Sequence, residues 1–288
     1  MPQTGRLNKV IELLEQGKVV LGGAVVMPGN IEQALAFSDM GHDFLIFEME
    51  HEGFHLPNLR LSLQFLLDRK RIVTKGTLQP DVVPFVRVPP NAREQNQWVI
   101  KQTLDTGVYG LIVPHLDTVE QARAAVIACR YPQALGAPDR EPVGQRGWAP
   151  MGAARYWGLS VPEYTAAADL WPLDPQGEMF FMPLIEGVEG VRNLPQILQE
   201  VKGISAIWAG SGDLAMELGV PCNFADPRVE EGMQQILRAC KQSNVPCACI
   251  AFREEDVEKR IEQGFRIIIT IPALMDRAFA AGKKLAVR

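Results

Sequence analysis

The stretch FFMPLIE at residues 180–186 has six uncharged residues in a row and ends in a carboxylate. A continuous apolar run of this length is typical of a parallel strand that is buried on both faces. Seven further runs share the pattern and carry few charges except at their C-terminal ends: VVLGGAVV (19–26), FLIFEME (44–50), PFVRVP (84–89), GLIVPH (110–115), SAIWAG (205–210), PCACIAF (246–252) and FRIIITI (265–271).

Helical patterns lie between most of these runs. Thr118 stands where a helix start is expected, and Gly264 stands where a helix end is expected. Eight strands that alternate with helices predict an α/β protein with a parallel sheet, either closed as a (β/α)8 TIM barrel or open and doubly wound. The count of eight favours the closed barrel, in a single domain over residues 1–288.

Composition and charge exclude several classes of protein. The 288 residues carry a net charge of −5 and no long basic run, so we expect neither a nucleic-acid partner nor an anionic membrane surface. No apolar stretch reaches the ~18 residues of a membrane span, and the N-terminus lacks the apolar core of a signal peptide, which predicts a cytoplasmic protein. Five cysteines, an odd count, argue against a disulfide framework. We interpret Cys247 and Cys249 as small buried hydrophobic residues rather than a metal pair.

Two segments interrupt the alternation of strands and helices. Residues 131–179, before the fifth strand, are rich in proline, glycine and aromatic residues, and residues 69–82 form a shorter excursion before the third. Long loops in compact domains are usually functional or mobile. We predict that 131–179 is partly a lid and partly a subunit interface, because Trp148 and Tyr156 are residue types that interfaces favour.

The active site of a parallel barrel lies at the C-terminal ends of its strands. These ends carry several polar side chains on otherwise apolar strands: Glu48, Glu50, His51, Arg87, His115, Glu186 and Asp213. Glu186 and Asp213 would form a hard oxygen site with open positions, which Mg²⁺ and Mn²⁺ accept. The alternative for either carboxylate is a helix cap.

Arg87 and His51 also have two interpretations each. Arg87 either forms a structural ion pair with Glu48 or Glu50, or stabilises a developing enolate oxygen. His51 is either a surface loop residue or a general base whose ring is oriented by Glu48. We interpret His42, His55 and His115 as having no role in the site.

None of the eight apolar runs contains a lysine. Schiff-base chemistry needs a desolvated lysine in or at the end of a strand, so any carbon–carbon lyase chemistry is expected to use a metal. The Gly-Ser-Gly loop at 210–212 precedes a helix, and its backbone N–H groups could bind a carboxylate.

The chain resembles the HpcH/HpaI-type aldolases, which are metal-dependent (class II) 2-oxo acid aldolases on a (β/α)8 barrel. The resemblance extends from about residue 20 to 275, and its motifs are specific in combination: FEMEH (47–51), VRV (86–88), TLDTGVYGLIVP (103–114), AVIACRYP (125–132), QRG (145–147), LIEGVEGVRNLPQIL (184–198) and IWAGSGDLAMELG (207–219).

The resemblance implies roles for these residues. Glu186 and Asp213 would hold a divalent metal, Mg²⁺, Mn²⁺ or Co²⁺, as a Lewis acid and template. Arg87 would steady the enolate oxygen, and His51 with Glu48 would move protons to and from the aldol hydroxyl. The substrate carboxylate would be held by the backbone of Ser211, Gly212 and Asp213.

This chain departs from the family at positions that would face the aldehyde or other acceptor of the reaction. The family commonly has Asp where this chain has Glu48, often has Gln at the position of Leu184, and has Trp near the position of Ala24. Leu184 is therefore expected in the substrate pocket. The family usually forms hexamers, so a homo-oligomer, hexamer or trimer, is expected.

Three functions remain open from the sequence. The first is an aldolase that reversibly cleaves a 4-hydroxy-2-oxo acid to pyruvate, or a related 2-oxo acid, and an aldehyde through a metal-bound enolate. The second is an oxaloacetate decarboxylase or a macrophomate-synthase-like enolate-coupling enzyme with the same metal site. The third is a non-catalytic barrel that binds a metabolite or a partner.

Overall fold

The computed structural model describes residues 5–270 and 276–286, apart from the side chains at positions 24, 25, 91 and 276. The strands of this part are β1 Val20–Val26, β2 Phe44–Glu48, β3 Val83–Arg87, β4 Gly110–Val113, β5 Leu170–Trp171, β6 Met179–Ile185, β7 Ile207–Ala209, β8 Cys247–Ile250 and β9 Ile267–Ile269. Its helices are α1 Lys9–Glu15, α2 Ile31–Asp39, α3 Leu56–Phe65, α4 Arg69–Lys75, α5 Asn91–Glu94, α6 Gln97–Leu104, α7 Val119–Cys129, α8 Met151–Trp157, α9 Val161–Ala167, α10 Val188–Glu200, α11 Ser211–Glu217, α12 Pro227–Gln242, α13 Glu254–Gln263 and α14 Asp276–Leu285.

Eight of these strands close into a parallel barrel. The order runs β4-β3-β2-β1-β9-β8-β7-β6, and β4 pairs with β6 to complete the ring. Each apolar run of the sequence overlaps one barrel strand, so the predicted (β/α)8 barrel is confirmed, and the open doubly wound sheet is excluded. The predicted end of the eighth run, at Ile271, lies outside the described residues.

The strand registers show which side chains enter the barrel. Phe44 pairs with Val83, and Phe85 pairs with Gly110, which in turn pairs with Phe180. The rings of Phe44, Phe85 and Phe180 stack in series, with centroids 4.8 and 5.3 Å apart. Because paired residues of a parallel sheet share a face, and every second residue returns to it, the strand ends Glu48, Arg87 and Glu186 also face the interior.

Residues 131–179 form helices α8 and α9 and the short strand β5, which pairs with the first residues of β6. The indole Nε1 of Trp157 donates to the carbonyl of Gly107 (2.7 Å), which precedes β4. Asn8, before α1, bonds to Glu178, at the end of this segment. These contacts lie at the N-terminal ends of the strands, opposite to Glu186 and Asp213. These parts of the segment therefore lie away from that rim within their own chain, and the roles of the segment as a lid and as an interface stay predictions.

The excursion at residues 69–82 contains a helix. Asp68 caps the start of α4 by accepting from the backbone of Arg71, and Gly76 ends it with φ 67° in the left-handed region. The chain between β3 and β4 forms two helices, α5 and α6, which are separated at Gln95 with φ 55°. The predicted helix start at Thr118 is confirmed by a capping box with Gln121, as is the helix end at Gly264.

Within residues 5–270 and 276–286, no helix combines the length and the apolar character needed to cross a membrane. The cysteines of the chain are unpaired, as expected. Cys247 and Cys249 are both buried in β8.

Candidate active site

Two carboxylates and an imidazole converge at the C-terminal rim of the barrel. One ligand atom each of His115, Glu186 and Asp213 can be chosen so that all three lie within 4.8 Å of one another. These residues follow β4, β6 and β7, respectively. The fold therefore brings together the two residues predicted to hold a metal, and it adds a histidine for which we had predicted no role.

Glu186 is a buried carboxylate at the C-terminal end of β6. It lies two residues after Leu184, so both side chains share the face of β6 that points into the barrel, and Leu184 is also buried. The Oε1 atom of Glu186 accepts the backbone N–H of His115 (2.9 Å). Burial, together with the charges of Asp213 and Glu50, raises the pKa of Glu186 to about 8. The following helix α10 has Gly187 at its N-cap, and the backbone N–H of Val188 donates to Oε2 of Glu217 (2.8 Å) rather than to Glu186. The capping alternative for Glu186 is therefore not observed.

Asp213 is the third residue of α11 and is exposed. The N-cap of α11 is Gly210, so Asp213 does not occupy the capping position that was its alternative. A Cβ at Gly210 would lie 2.7 Å from the Cβ of Glu186, so glycine permits the close approach of this turn to the strand end. Ser211 and Gly212 lie beside Asp213 at the first positions of α11, and their binding to a substrate carboxylate stays a prediction.

Arg87 forms a compact ion-pair cluster with Glu48 and Glu50. Its Nε and Nη2 atoms lie 2.7 and 2.5 Å from Oε2 of Glu48, and Nε lies 3.2 Å from Oε2 of Glu50. Burial raises the pKa of Glu50, while the charge of Arg87 acts in the opposite direction. Arg87 thus forms ion pairs with both predicted partners. These two ion pairs hold its guanidinium in a fixed position at the rim.

His51 has a different partner from the one predicted. Its Nε2 atom lies 3.4 Å from Oε2 of Glu50, and the side chain is largely exposed. Glu48 instead accepts the backbone N–H groups of Glu50 (2.8 Å) and His51 (3.2 Å) through Oε1. The expectation that Glu48 orients the His51 ring was therefore wrong. Glu48 fixes the turn that carries His51, because its two oxygens are already used by this turn and by Arg87.

His115 and Arg93 are the site residues that sequence reasoning missed. His115 has φ 53°, a conformation uncommon for residues with a side chain. Its Nδ1 lies 3.4 Å from Oε1 of Glu186 and 3.0 Å from Nη2 of Arg93, and its Nε2 lies 3.8 Å from Oε1 of Glu50. Burial and the charge of Arg93 lower the pKa of His115. Its position directly after an apolar run, like that of Glu186, was the signal that could have identified it.

The charges of this rim suit a divalent cation. Three carboxylates with little exposed area, Glu48, Glu50 and Glu186, lie at this rim, and Arg87 pairs with Glu48 and Glu50. Glu186 is left with its charge uncompensated by an arginine, which is costly unless a cation is bound. Carboxylate ligands with room for water and substrate atoms are common for Mg²⁺ and Mn²⁺. The side chains present therefore fit a metal site.

The chain is similar to known proteins of one family. The family model described as HpcH/HpaI aldolase/citrate lyase matches residues 28–270. A 2-keto-3-deoxy-L-rhamnonate aldolase of Klebsiella pneumoniae is 31% identical over 229 residues, which cover 79% of this chain and 73% of that protein. Relatives of the same name from Salmonella strains are 33% identical over 201 residues, and there the match covers 69% of this chain and 61% of their length.

Solved structures show the same fold. An HpcH/HpaI aldolase/citrate lyase family protein from Burkholderia cenocepacia has a TM-score of 0.75 and 25% identity, with coverage of 97% of this chain and 98% of that one. Macrophomate synthase has a TM-score of 0.66 and 25% identity, with coverage of 94% and 85%.

Proposed function

The chain belongs to the HpcH/HpaI aldolase/citrate lyase family and is an enzyme of the class II aldolase type, and on this premise we propose that it reversibly cleaves a 4-hydroxy-2-oxo acid to pyruvate, or a related 2-oxo acid, and an aldehyde. The observation that carries this proposal is the convergence of Glu186, Asp213 and His115 beside the Arg87 cluster at the catalytic end of the barrel.

Members of this family depend on a metal, and in this chain Glu186 and Asp213 would hold it. A divalent cation there supplies Lewis acidity to a 2-oxo group. None of the nine described strands contains a lysine, which leaves a strand-borne Schiff base without a residue. Mg²⁺, Mn²⁺ and Co²⁺ are the candidates.

Arg87 is placed to bind the oxygen on which negative charge develops during cleavage. Its guanidinium is held by Glu48 and Glu50, so no reorganisation is needed when the charge appears. His51 is an exposed base at the rim, and its Nε2 atom lies 3.4 Å from Oε2 of Glu50. We assign to His51 the removal of the proton from the C4 hydroxyl of the substrate, directly or through a water molecule. Leu184, beside Glu186, would line the pocket.

The proposal is tested by pyruvate release from a panel of 4-hydroxy-2-oxo acids, measured with and without EDTA. We expect turnover to stop in EDTA and to return with Mn²⁺ or Mg²⁺. Asp213→Ala should lower kcat/KM at least about 100-fold, which corresponds to about 2.7 kcal/mol, whereas Glu120→Ala, at an exposed carboxylate of α7, should match the wild type. Turnover that survives both EDTA and Asp213→Ala would contradict the proposal.

A second candidate is decarboxylation of oxaloacetate or enolate coupling of the macrophomate synthase type, favoured by the structural similarity to that enzyme at 25% identity. Both routes share an enolate, but decarboxylation releases CO₂ and needs no base at a hydroxyl group. Oxaloacetate turnover that persists in His51→Ala and is lost in Arg87→Ala would select this candidate.

A further inference from the structure

His115 follows β4 at the point where the polypeptide turns toward Glu186. The backbone N–H of His115 donates to Oε1 of Glu186 (2.9 Å), and φ 53° places its backbone in the left-handed region. Such strain persists only where the surroundings impose it, and it is frequent at functional sites. The residue is thus fixed against the carboxylate that would hold the metal.

The distances suit three ligands of one ion. Nδ1 of His115 lies 3.4 Å from Oε1 of Glu186, and suitable atoms of His115, Glu186 and Asp213 all lie within 4.8 Å of one another. At bond lengths of about 2.1 Å, neighbouring ligand atoms of an octahedral ion lie about 3.0 Å apart and opposite ones about 4.2 Å apart. Small side-chain movements would bring all three atoms into one coordination sphere.

The protonation state of the ring also suits a ligand. Nη2 of Arg93 lies 3.0 Å from Nδ1, and a guanidinium has hydrogen-bond donors only, so Nδ1 presents its lone pair. Arg93 is exposed on the short helix α5 and can leave this position by side-chain rotation. Nε2 then carries the proton and faces Oε1 of Glu50 at 3.8 Å. A carboxylate behind the second ring nitrogen is a common partner of a metal-bound histidine.

We propose that His115 is a third protein ligand, through Nδ1, of the divalent metal held by Glu186 and Asp213. The inference rests on the proposed function insofar as it requires a metal at these two carboxylates. Imidazole favours transition metals over Mg²⁺, which prefers oxygen ligands. The site should therefore bind Mn²⁺ or Co²⁺ more tightly than Mg²⁺.

The test uses the full-length protein with Mn²⁺ alone as the probe, and it measures nitrogen coupling to the bound ion by pulsed electron paramagnetic resonance. We expect a directly bound histidine nitrogen in the wild type, with the isotope shift that ¹⁵N-histidine labelling produces. His115→Asn should lose this coupling and bind Mn²⁺ at least about tenfold more weakly, with a smaller loss for Mg²⁺. Asparagine tolerates the left-handed backbone, which favours correct folding.

His51→Asn is the matched control, because His51 lies on the same rim but outside the ligand cluster. It should keep both the nitrogen coupling and the Mn²⁺ affinity. A wild type that binds Mn²⁺ without histidine coupling, or a His115→Asn protein that retains the coupling, overturns the role of His115 and leaves the carboxylate metal site intact. A wild type that binds no Mn²⁺, or a site that survives Asp213→Ala, overturns the proposed metal site itself. If the variant does not fold, a labelled wild type that binds Mn²⁺ without nitrogen coupling still overturns the role of His115.

Discussion

At the scale of single residues, the rim depends on contacts that only a few side chains can make. Gly210 lies so close to Glu186 that any larger residue would push against the strand end. Glu48 uses one oxygen for the turn at His51 and the other for Arg87. Each of these residues acts by holding another, so a site of this kind tolerates little change around its charged groups.

A residue distant from the rim gives a test by pH. His42 is buried, and its ring stacks on Phe279 with centroids 3.8 Å apart. Burial lowers the pKa of His42 to about 4, and the charge of Lys283 adds to this, against an opposing effect of Asp43. The imidazole is therefore protonated in the unfolded chain at a pH where the folded protein keeps it neutral.

The sign follows from this difference in proton binding. Well above pH 6.5 the ring of His42 is neutral in the folded and the unfolded protein. As the pH is lowered from about 6.5 to about 4, only the unfolded protein binds a proton at this ring, so the free energy of unfolding decreases. The full loss is on the order of 3 kcal/mol. We expect His42→Phe to lose less stability than the wild type in urea unfolding between pH 7 and 4.5. Equal losses in the two proteins would show that His42 does not titrate in this way.

At the scale of elements, residues 131–179 are fixed to the barrel by a buried arginine. Arg130 follows α7, and its fully buried guanidinium bonds to both oxygens of Asp169 (2.6 and 2.7 Å). It also donates to the carbonyls of Pro142 and Asp139. One side chain thereby connects the end of α7 to both halves of the segment.

Removing this connection should be costly. Arg130→Met leaves Asp169 as a buried carboxylate without its cation, and we expect a loss of about 3–5 kcal/mol in the free energy of unfolding. Arg140→Met removes a partly exposed ion pair with Glu141 in the same segment and should cost less than about 1 kcal/mol. Urea unfolding of both variants provides the comparison. A loss for Arg130→Met as small as that for Arg140→Met would contradict the role given to Arg130.

At the scale of the whole molecule, the outer surface of residues 131–179 carries apolar side chains. Leu135 is 90% and Trp148 is 67% exposed. Gly147 lies against Lys101 of α6, and Trp98, one turn earlier on that helix, is 53% exposed. Exposed aromatic groups in one region are typical of protein interfaces. We propose that this surface joins copies of the chain into a homo-oligomer, a trimer or a hexamer.

Light scattering on the purified protein tests this proposal. The wild type should have the mass of an oligomer, and Leu135→Glu combined with Trp148→Glu should shift it toward the monomer, because charges would be buried at the contact. Val73→Glu, at an 81% exposed apolar residue of α4, should leave the mass unchanged. A monomeric wild type would exclude the oligomer. An unchanged mass in the double variant would place the interface elsewhere.

The barrel and most of the rim were predictable from the sequence, because the apolar character that a buried strand needs is visible in a short stretch of residues. A strand buried on both faces must be apolar along its length, so the runs at 180–186 and 110–115 can be recognised as strands from the sequence alone. A polar residue directly after such a run must lie at one end of the sheet. Without any knowledge of distances, this reasoning placed Glu186 at the end of its run, Arg87 near the end of another and Asp213 shortly after a third.

The tertiary structure decided which of these residues meet, because partners depend on strand order and side-chain reach. His115 and Glu186 are 71 residues apart in the chain but adjacent across the β4–β6 closure of the barrel. Glu50 rather than Glu48 faces the ring of His51, because Arg87 and the backbone already use both oxygens of Glu48. The chain's own periodicity thus determined a barrel with an acidic rim. The pairing of β4 with β6 brought a histidine to the carboxylates, since strand pairing and not separation along the chain sets the distance between the ends of these two strands.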